Sequence, residues 1–119
     1  MTEDSDGFLQ IVLGEQVTIA VAKTLGPFAA TFSSPVGASW DSASMSADGL
    51  TETNIFTAPS AGSTVIVTIL YDFVPDSTGN FPAGDRYVQT VTGTKSGAAT
   101  PTTIPPLPIN SQTLTFVVG

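Results

Sequence analysis

The sequence predicts an all-β domain in which two antiparallel sheets pack as a sandwich, with a jelly roll or a small barrel as the alternative closure. Three observations lead there. Gly and Pro, 11 and 9 of 119 residues, interrupt the chain so often that no window holds apolar residues at helical spacing for three turns. Apolar residues instead alternate with Thr, Ser and Ala over short runs bounded by turn signals. With no helix to supply crossovers, antiparallel pairing and sheet-on-sheet packing remain. The length suits one core, so residues 1–119 are taken as a single domain with a short amino-terminal arm (1–7) and a long Pro-rich loop (93–110).

The elements follow in chain order. Phe8 to Leu13 is a short apolar run, separated by Gly14 from Glu15 to Ala22, where Val17, Ile19 and Val21 form one apolar face; these two strands need not pair with each other. Phe28, Ala30 and Phe32 alternate before Ser33-Ser34-Pro35, and Val36 to Trp40 is the next candidate strand. Asp41 to Gly49 reads as a turn or weak edge strand. Glu52 to Ala58 is extended and closes at Pro59-Ser60-Ala61-Gly62. Thr64 to Phe73 is the clearest strand: Val65, Val67, Ile69 and Tyr71 share one face, Ile66 and Leu70 the other, as expected at the centre of a sheet. A polar loop from Val74 to Gly84 leads to a strand from Asp85 to Thr92. The prolines at 101, 105, 106 and 108 exclude regular structure from 93–110. Leu114, Phe116 and Val118 then mark a closing strand.

Composition narrows the function classes. Charged residues are 11% and net charge is −7, with Lys23, Arg86 and Lys95 the three cations, so no basic patch is available for nucleic acid or an anionic membrane. Without cysteine or histidine there is no disulfide framework, no thiolate or imidazole zinc site and no Ser-His or thiol nucleophile. No cofactor is expected. The acidic start, Met1-Thr-Glu-Asp-Ser-Asp6, lacks the basic and apolar segments of a secretory signal, and no apolar run reaches membrane-spanning length. The expectation is a soluble chain that begins at its own initiator.

From Leu13 to Phe73, about half the chain, the order of features resembles the bacterial and phage immunoglobulin-like modules: Gly14-Glu-Gln-Val-Thr-Ile19, Val36-Gly-Ala-Ser-Trp40, Phe56-Thr-Ala-Pro59 with Gly62, then Thr64-Val-Ile-Val-Thr68. The resemblance implies an immunoglobulin-like antiparallel β-sandwich with the tryptophan in the core. The loop from Val74 to Gly84, the strand from Asp85 to Thr92 and the stretch from Thr100 to Pro108 depart from the minimal module, so strand order after Phe73 is open. The expected core comprises Val17, Ile19, Val21, Trp40, Val65, Val67, Ile69, Leu114 and Phe116, with an exposed binding platform as the other role for Trp40.

Two constellations bear on chemistry. Asp72, Asp76 and Asp85 are the available carboxylates for acid-base work, and with Asn80 they offer hard oxygen ligands to calcium; both readings compete with ordinary solvated loop acids. The expected interface residues are Phe81, Tyr87, Ile104, Leu107 and Ile109. Phe81 sits in the polar loop either as an anchor or folded back on the core. The Pro-rich run carrying Ile104, Leu107 and Ile109 is either an extended arm over a neighbour or a long crossover to the last strand. These features favour a non-enzymatic structural protein, most specifically a virion accessory subunit such as a phage capsid decoration (cement) protein. Its partner would be a capsid or other assembly protein, with a homo-oligomer left open; a module of a secreted or cell-surface adhesin or carbohydrate-active protein is the alternative.

Overall fold

The computed structural model describes residues 1–107 and 109–119 and, among them, contains ten strands and no helix. They are β1 (Leu9–Ile11), β2 (Gln16–Lys23), β3 (Ala30–Phe32), β4 (Trp40–Met45), β5 (Thr51–Thr57), β6 (Thr64–Asp72), β7 (Tyr87–Gly93), β8 (Gly97–Ala98), β9 (Thr102–Ile104) and β10 (Ile109–Val118). Two open sheets pack face to face. One is ordered β1-β10-β6-β3; the other is ordered β4-β5-β2-β7-β8, with β9 also paired to β7.

The two-residue repeat sets which side chains face inward. On β2, Val17, Ile19 and Val21 are fully buried while Thr18, Ala20 and Ala22 between them are half-exposed; on β6, Val65, Val67, Ile69 and Tyr71 are fully buried. Burial of each such side chain contributes on the order of 1.5–3 kcal/mol. The β6 ladder runs the length of β10, with Leu114 opposite Val67 and Phe116 opposite Val65, so β6 is a central strand as its two apolar faces predict. β1 and β2 lie in different sheets, and β1 pairs with β10 in parallel, an exception to the expected antiparallel pairing.

Other differences from the sequence expectation have local causes. The fourth candidate strand, Val36 to Trp40, is displaced. Val36 makes a single bridge to Ile66, and the continuous strand starts at Trp40 and uses the polar residues to Met45 as a sheet edge. At Gly37 the chain passes the Thr64 carbonyl too closely for any Cβ and with φ at +90°, so regular pairing breaks there. The stretch 93–110 is not irregular throughout. Its prolines flank β9 rather than enter it, leaving Thr102 to Ile104 to pair with Gln89 to Tyr87.

Two edge-to-face aromatic chains fill the core. Trp40 contacts Phe56 at a centroid distance of 6.1 Å and Phe56 contacts Phe116 at 5.2 Å; further along, Tyr87 meets Tyr71, Phe73 and Phe28 at 5.0, 4.9 and 5.6 Å. Four assignments are corrected here. Tyr87 and Ile104, expected at an interface, are 0% and 1% exposed, because they occupy inward register positions on β7 and β9. Trp40 is half-buried on an edge strand, its Nε1 donating to the Ser33 carbonyl at 3.1 Å, and Leu114 is likewise half-buried beside the core. Phe56, fully buried between Trp40 and Phe116, holds the central position expected of the tryptophan.

The end of the sandwich at which β2 begins is fastened by a buried carboxylate. Glu15 accepts hydrogen bonds from the N–H groups of Val12, Lys95 and Ser96, at 2.5, 2.9 and 2.9 Å, and from the Ser96 hydroxyl. It lies against Gly93, where a Cβ would collide with it. Burial pushes this carboxyl up, but the Ser96 hydroxyl and the three N–H donors outweigh it and hold Glu15 below the ordinary value of 4.5. The arm 1–7 is also bound: the Met1 ammonium donates to the Ala98 carbonyl, Gln10 N–H to the Thr2 carbonyl, and Glu3 bridges to Leu9 along the free side of β1.

Phe56→Ala should cost about 3–5 kcal/mol in urea unfolding, and Trp40→Ala clearly less, since the rim ring leaves no enclosed void. The reverse order would place the tryptophan at the centre of the core. Because the Glu15 carboxyl is depressed in the folded state, its contribution is complete above pH 4.5 and is lost as pH falls through the folded value. The stability gap between wild type and Glu15→Gln should therefore narrow on acidification, checked by unfolding across that range.

Candidate interface at the loop end of the sandwich

β2, β6 and β9 all end, and β3, β5, β7 and β10 all begin, at one end of the sandwich. The connections 24–29, 46–50, 73–86 and 105–107 are gathered there. The inward alternation of β2 does not stop at Val21: the next inward residue is Lys23, whose side chain is 0% exposed. Its ammonium donates to both carboxylate oxygens of Asp85 at 2.7 and 2.8 Å and to the Leu25 carbonyl at 2.5 Å, and lies 5.5 Å from the ring centres of both Phe73 and Tyr87.

Around this ion pair the loops are stitched together. Thr24 N–H donates to the Arg86 carbonyl, its hydroxyl donates to the Gly84 carbonyl at 2.9 Å, and the same oxygen accepts Arg86 N–H at 3.0 Å. The Tyr87 hydroxyl donates to the Asp72 carbonyl and accepts Ala29 N–H, each at 2.8 Å, which ties β6, β7 and the loop before β3 to one atom. Burial pushes the Tyr87 phenol up; the Ala29 N–H opposes this, and the Asp85 and Asp72 charges add to it. Tyr71 is buried too and donates to the Gln89 side-chain oxygen at 2.5 Å, with burial and then Tyr87 holding its phenol well above the ordinary range.

The outer surface of this end is apolar in patches. Leu25, Val74 and Leu107 are 43–45% exposed on three different loops. Phe81 stands half-buried with its ring edge against Phe73 at 6.0 Å, so it packs on the core and still presents one side outward. Of the expected interface residues, Phe81 and Leu107 lie here at the surface, while the side chain of Ile109, like Pro108, lies outside the described residues. Segment 105–107 carries the chain from β9 in one sheet to β10 in the other.

The acids do not form one site. Asp85 belongs to Lys23 and is 2% exposed, which removes it from any solvated calcium loop. Asp76 closes its own turn, accepting Thr78 N–H, Asn80 N–H and the Thr78 hydroxyl at 2.9, 3.1 and 2.6 Å; the Thr78 hydroxyl and these N–H donors hold its carboxyl below the ordinary value. Among the described residues no group of three or more acids stands in ligating arrangement. A small open cleft is lined by Glu3, Gly7 and Leu9 of the amino-terminal segment together with Gln89, Val91 and Leu114; Asp72, Asp76 and Asp85 are not part of its lining.

Sequence reasoning missed the Lys23–Asp85 pair, although a signal existed. Lys23 continues the inward series Val17, Ile19, Val21, and a lysine there must be matched by a buried acid. No family model, no curated protein and no solved structure matches this chain.

Removing one partner should leave a buried charge unpaired. Lys23→Met or Asp85→Leu alone is expected to cost about 3–5 kcal/mol, whereas the double variant should recover most of that loss. A double-mutant cycle in denaturant reads the coupling; additive single effects would show that the pair does not hold the loops.

Proposed function

We propose that this chain is an immunoglobulin-like sandwich serving as a non-enzymatic structural subunit, most specifically a virion accessory protein such as a phage capsid decoration protein, which attaches to a protein neighbour through its loop end. The strand arrangement supports the immunoglobulin-like reading. β4-β5-β2 in one sheet and β3-β6-β10 in the other correspond to the D-E-B and C-F-G sets of that fold. Here β7 to β9 form an excursion between β6 and β10 and occupy the position beside β2.

The observation that carries the attachment is the exposure of Leu25 and Val74 on loops pinned from below by Lys23–Asp85 and Tyr87, with Leu107 exposed on the connection that enters β10. Apolar groups on ordered loops lose little conformational entropy on docking, which favours their use as anchors. The surface also carries little charge to oppose close packing against a neighbour.

Co-expression with the capsid protein of a candidate parent particle, followed by particle sedimentation, tests the proposal. The wild-type chain should travel with particles, and the Leu25→Ser, Val74→Ser, Leu107→Ser variant should lose association by roughly tenfold or more while melting normally. A wild-type chain that stays in the supernatant as a monomer would favour a module of a secreted or cell-surface protein instead.

A further inference from the structure

The sandwich has four strand edges, and three are blunted. β1 is covered by the amino-terminal arm through the Thr2, Asp4 and Glu3 contacts. β3 is three residues long and is followed by Pro35. β8 and β9 are two and three residues long, with Pro101 between them and Pro105 and Pro106 after. These are the devices by which natural sheets prevent edge pairing. β4 is different: it is six residues long, contains no Pro, Lys or Arg, and its bulge is confined to the Trp40–Ser42 end.

The hydrogen-bond alternation shows what β4 offers. Ser46 N–H donates to the Thr51 carbonyl, making that a bonded pair; in an antiparallel ladder the bonded pairs alternate, so Ser44–Thr53 and Ser42–Ile55 are bonded pairs as well. The N–H and C=O groups of Ala43 and Met45 therefore point away from β5, and both residues are exposed. Charge then selects the occupant. Asp41, on the strand, and Glu52, opposite Met45, are joined by Asp48 in the adjoining turn. The cations lie on other elements: Lys23 is spent on Asp85, Arg86 precedes β7 and Lys95 follows it. A second copy would bring like charges to like.

We infer that β4 is a β-augmentation site that accepts an extended segment of a different protein bearing Lys or Arg, bonded through the backbone of Ala43 and Met45. This rests on the reading of the chain as an assembly subunit and supplies that reading with a second point of attachment.

The test is selection of the folded chain against a display library of random ten-residue peptides, followed by amide exchange with a synthetic copy of a retained peptide. Retained peptides should be rich in Lys or Arg among β-branched residues and bind more weakly as salt rises. They should slow exchange of the Ala43 and Met45 amides by roughly tenfold or more. Ala43→Pro, which removes an outward N–H and leaves the β5 ladder intact, should abolish binding without lowering the melting temperature. Met45→Lys should weaken binding as a second variant. The triple loop-end variant should bind the peptide as wild type does, so that failure of this site and failure of the loop-end attachment read out separately. Three results would overturn the inference: no peptide retained, peptides that bind Ala43→Pro equally well, or a wild-type dimer that Ala43→Pro converts to monomer.

Discussion

Strict two-residue alternation along β2 is the constraint from which the rest of this structure follows. It presents Val17, Ile19 and Val21 to the opposite sheet and, continued one step further, carries Lys23 to the edge of the same core. An isolated ammonium there would cost several kcal/mol, so the chain must return an acid to it, and Asp85 arrives bidentate, 62 residues along. That return fixes the start of β7, which lies beside β2 with Tyr87 opposite Lys23. The position of Tyr87 in turn fixes the loop before β3 and the end of β6 through its hydroxyl. A single inward lysine thus converts the open end of a sandwich into an ordered platform.

The same logic repeats on a smaller scale wherever a polar group is drawn inside. Tyr71 ends the inward row of β6, and its hydroxyl is met by Gln89 on β7. Glu15 is buried ahead of β2 and is met by four donors, three of them backbone N–H groups of turns. Among the described residues no buried side-chain nitrogen or oxygen is left without a partner. The core is therefore specified at both ends by polar groups with one geometry each, while its middle is apolar packing of aliphatic side chains and aromatic rings.

This division explains what was legible in the sequence. The β6 face, the β2 face to Val21 and Phe116 on β10 were readable because alternation is a local property that needs no partner to be recognised. The two-sheet sandwich was suggested by local alternation and turn signals, but the parallel β1–β10 pair and the placing of β7 to β9 beside β2 depend on long-range pairing that no local pattern encodes. Trp40 was misplaced because its strand begins where Gly37 lets the chain turn away, so the ring falls on an edge. Tyr87 and Ile104 look like surface aromatic and linker residues by their neighbours in sequence; only register with β2 and with each other turns them inward. The acids of the 72–85 region illustrate the limit from the other side. Asp85 and Asp76 are nine residues apart in one polar loop, yet one is buried against an ammonium and the other closes an exposed turn.

The outer faces of the sandwich are as distinctive as its core. The exposed register of β2, β5 and β7 is built from Thr18, Ala20, Thr53, Ile55, Thr57, Thr90 and Thr92, uncharged side chains that suit a pleated surface. Such a face gives no long-range steering, so encounter with a partner would depend on the charges elsewhere: acids beside β4, on the amino-terminal arm and at Asp72 and Asp76, and cations at Arg86 and Lys95 on either side of β7. A neighbour that contacts the apolar loops and one that contacts the acidic edge need not be the same molecule, because the loops close one end of the sandwich and the edge runs along β4. A rigid sandwich with two such surfaces would bridge its neighbours, and simultaneous engagement would raise its retention well beyond what either contact supplies alone.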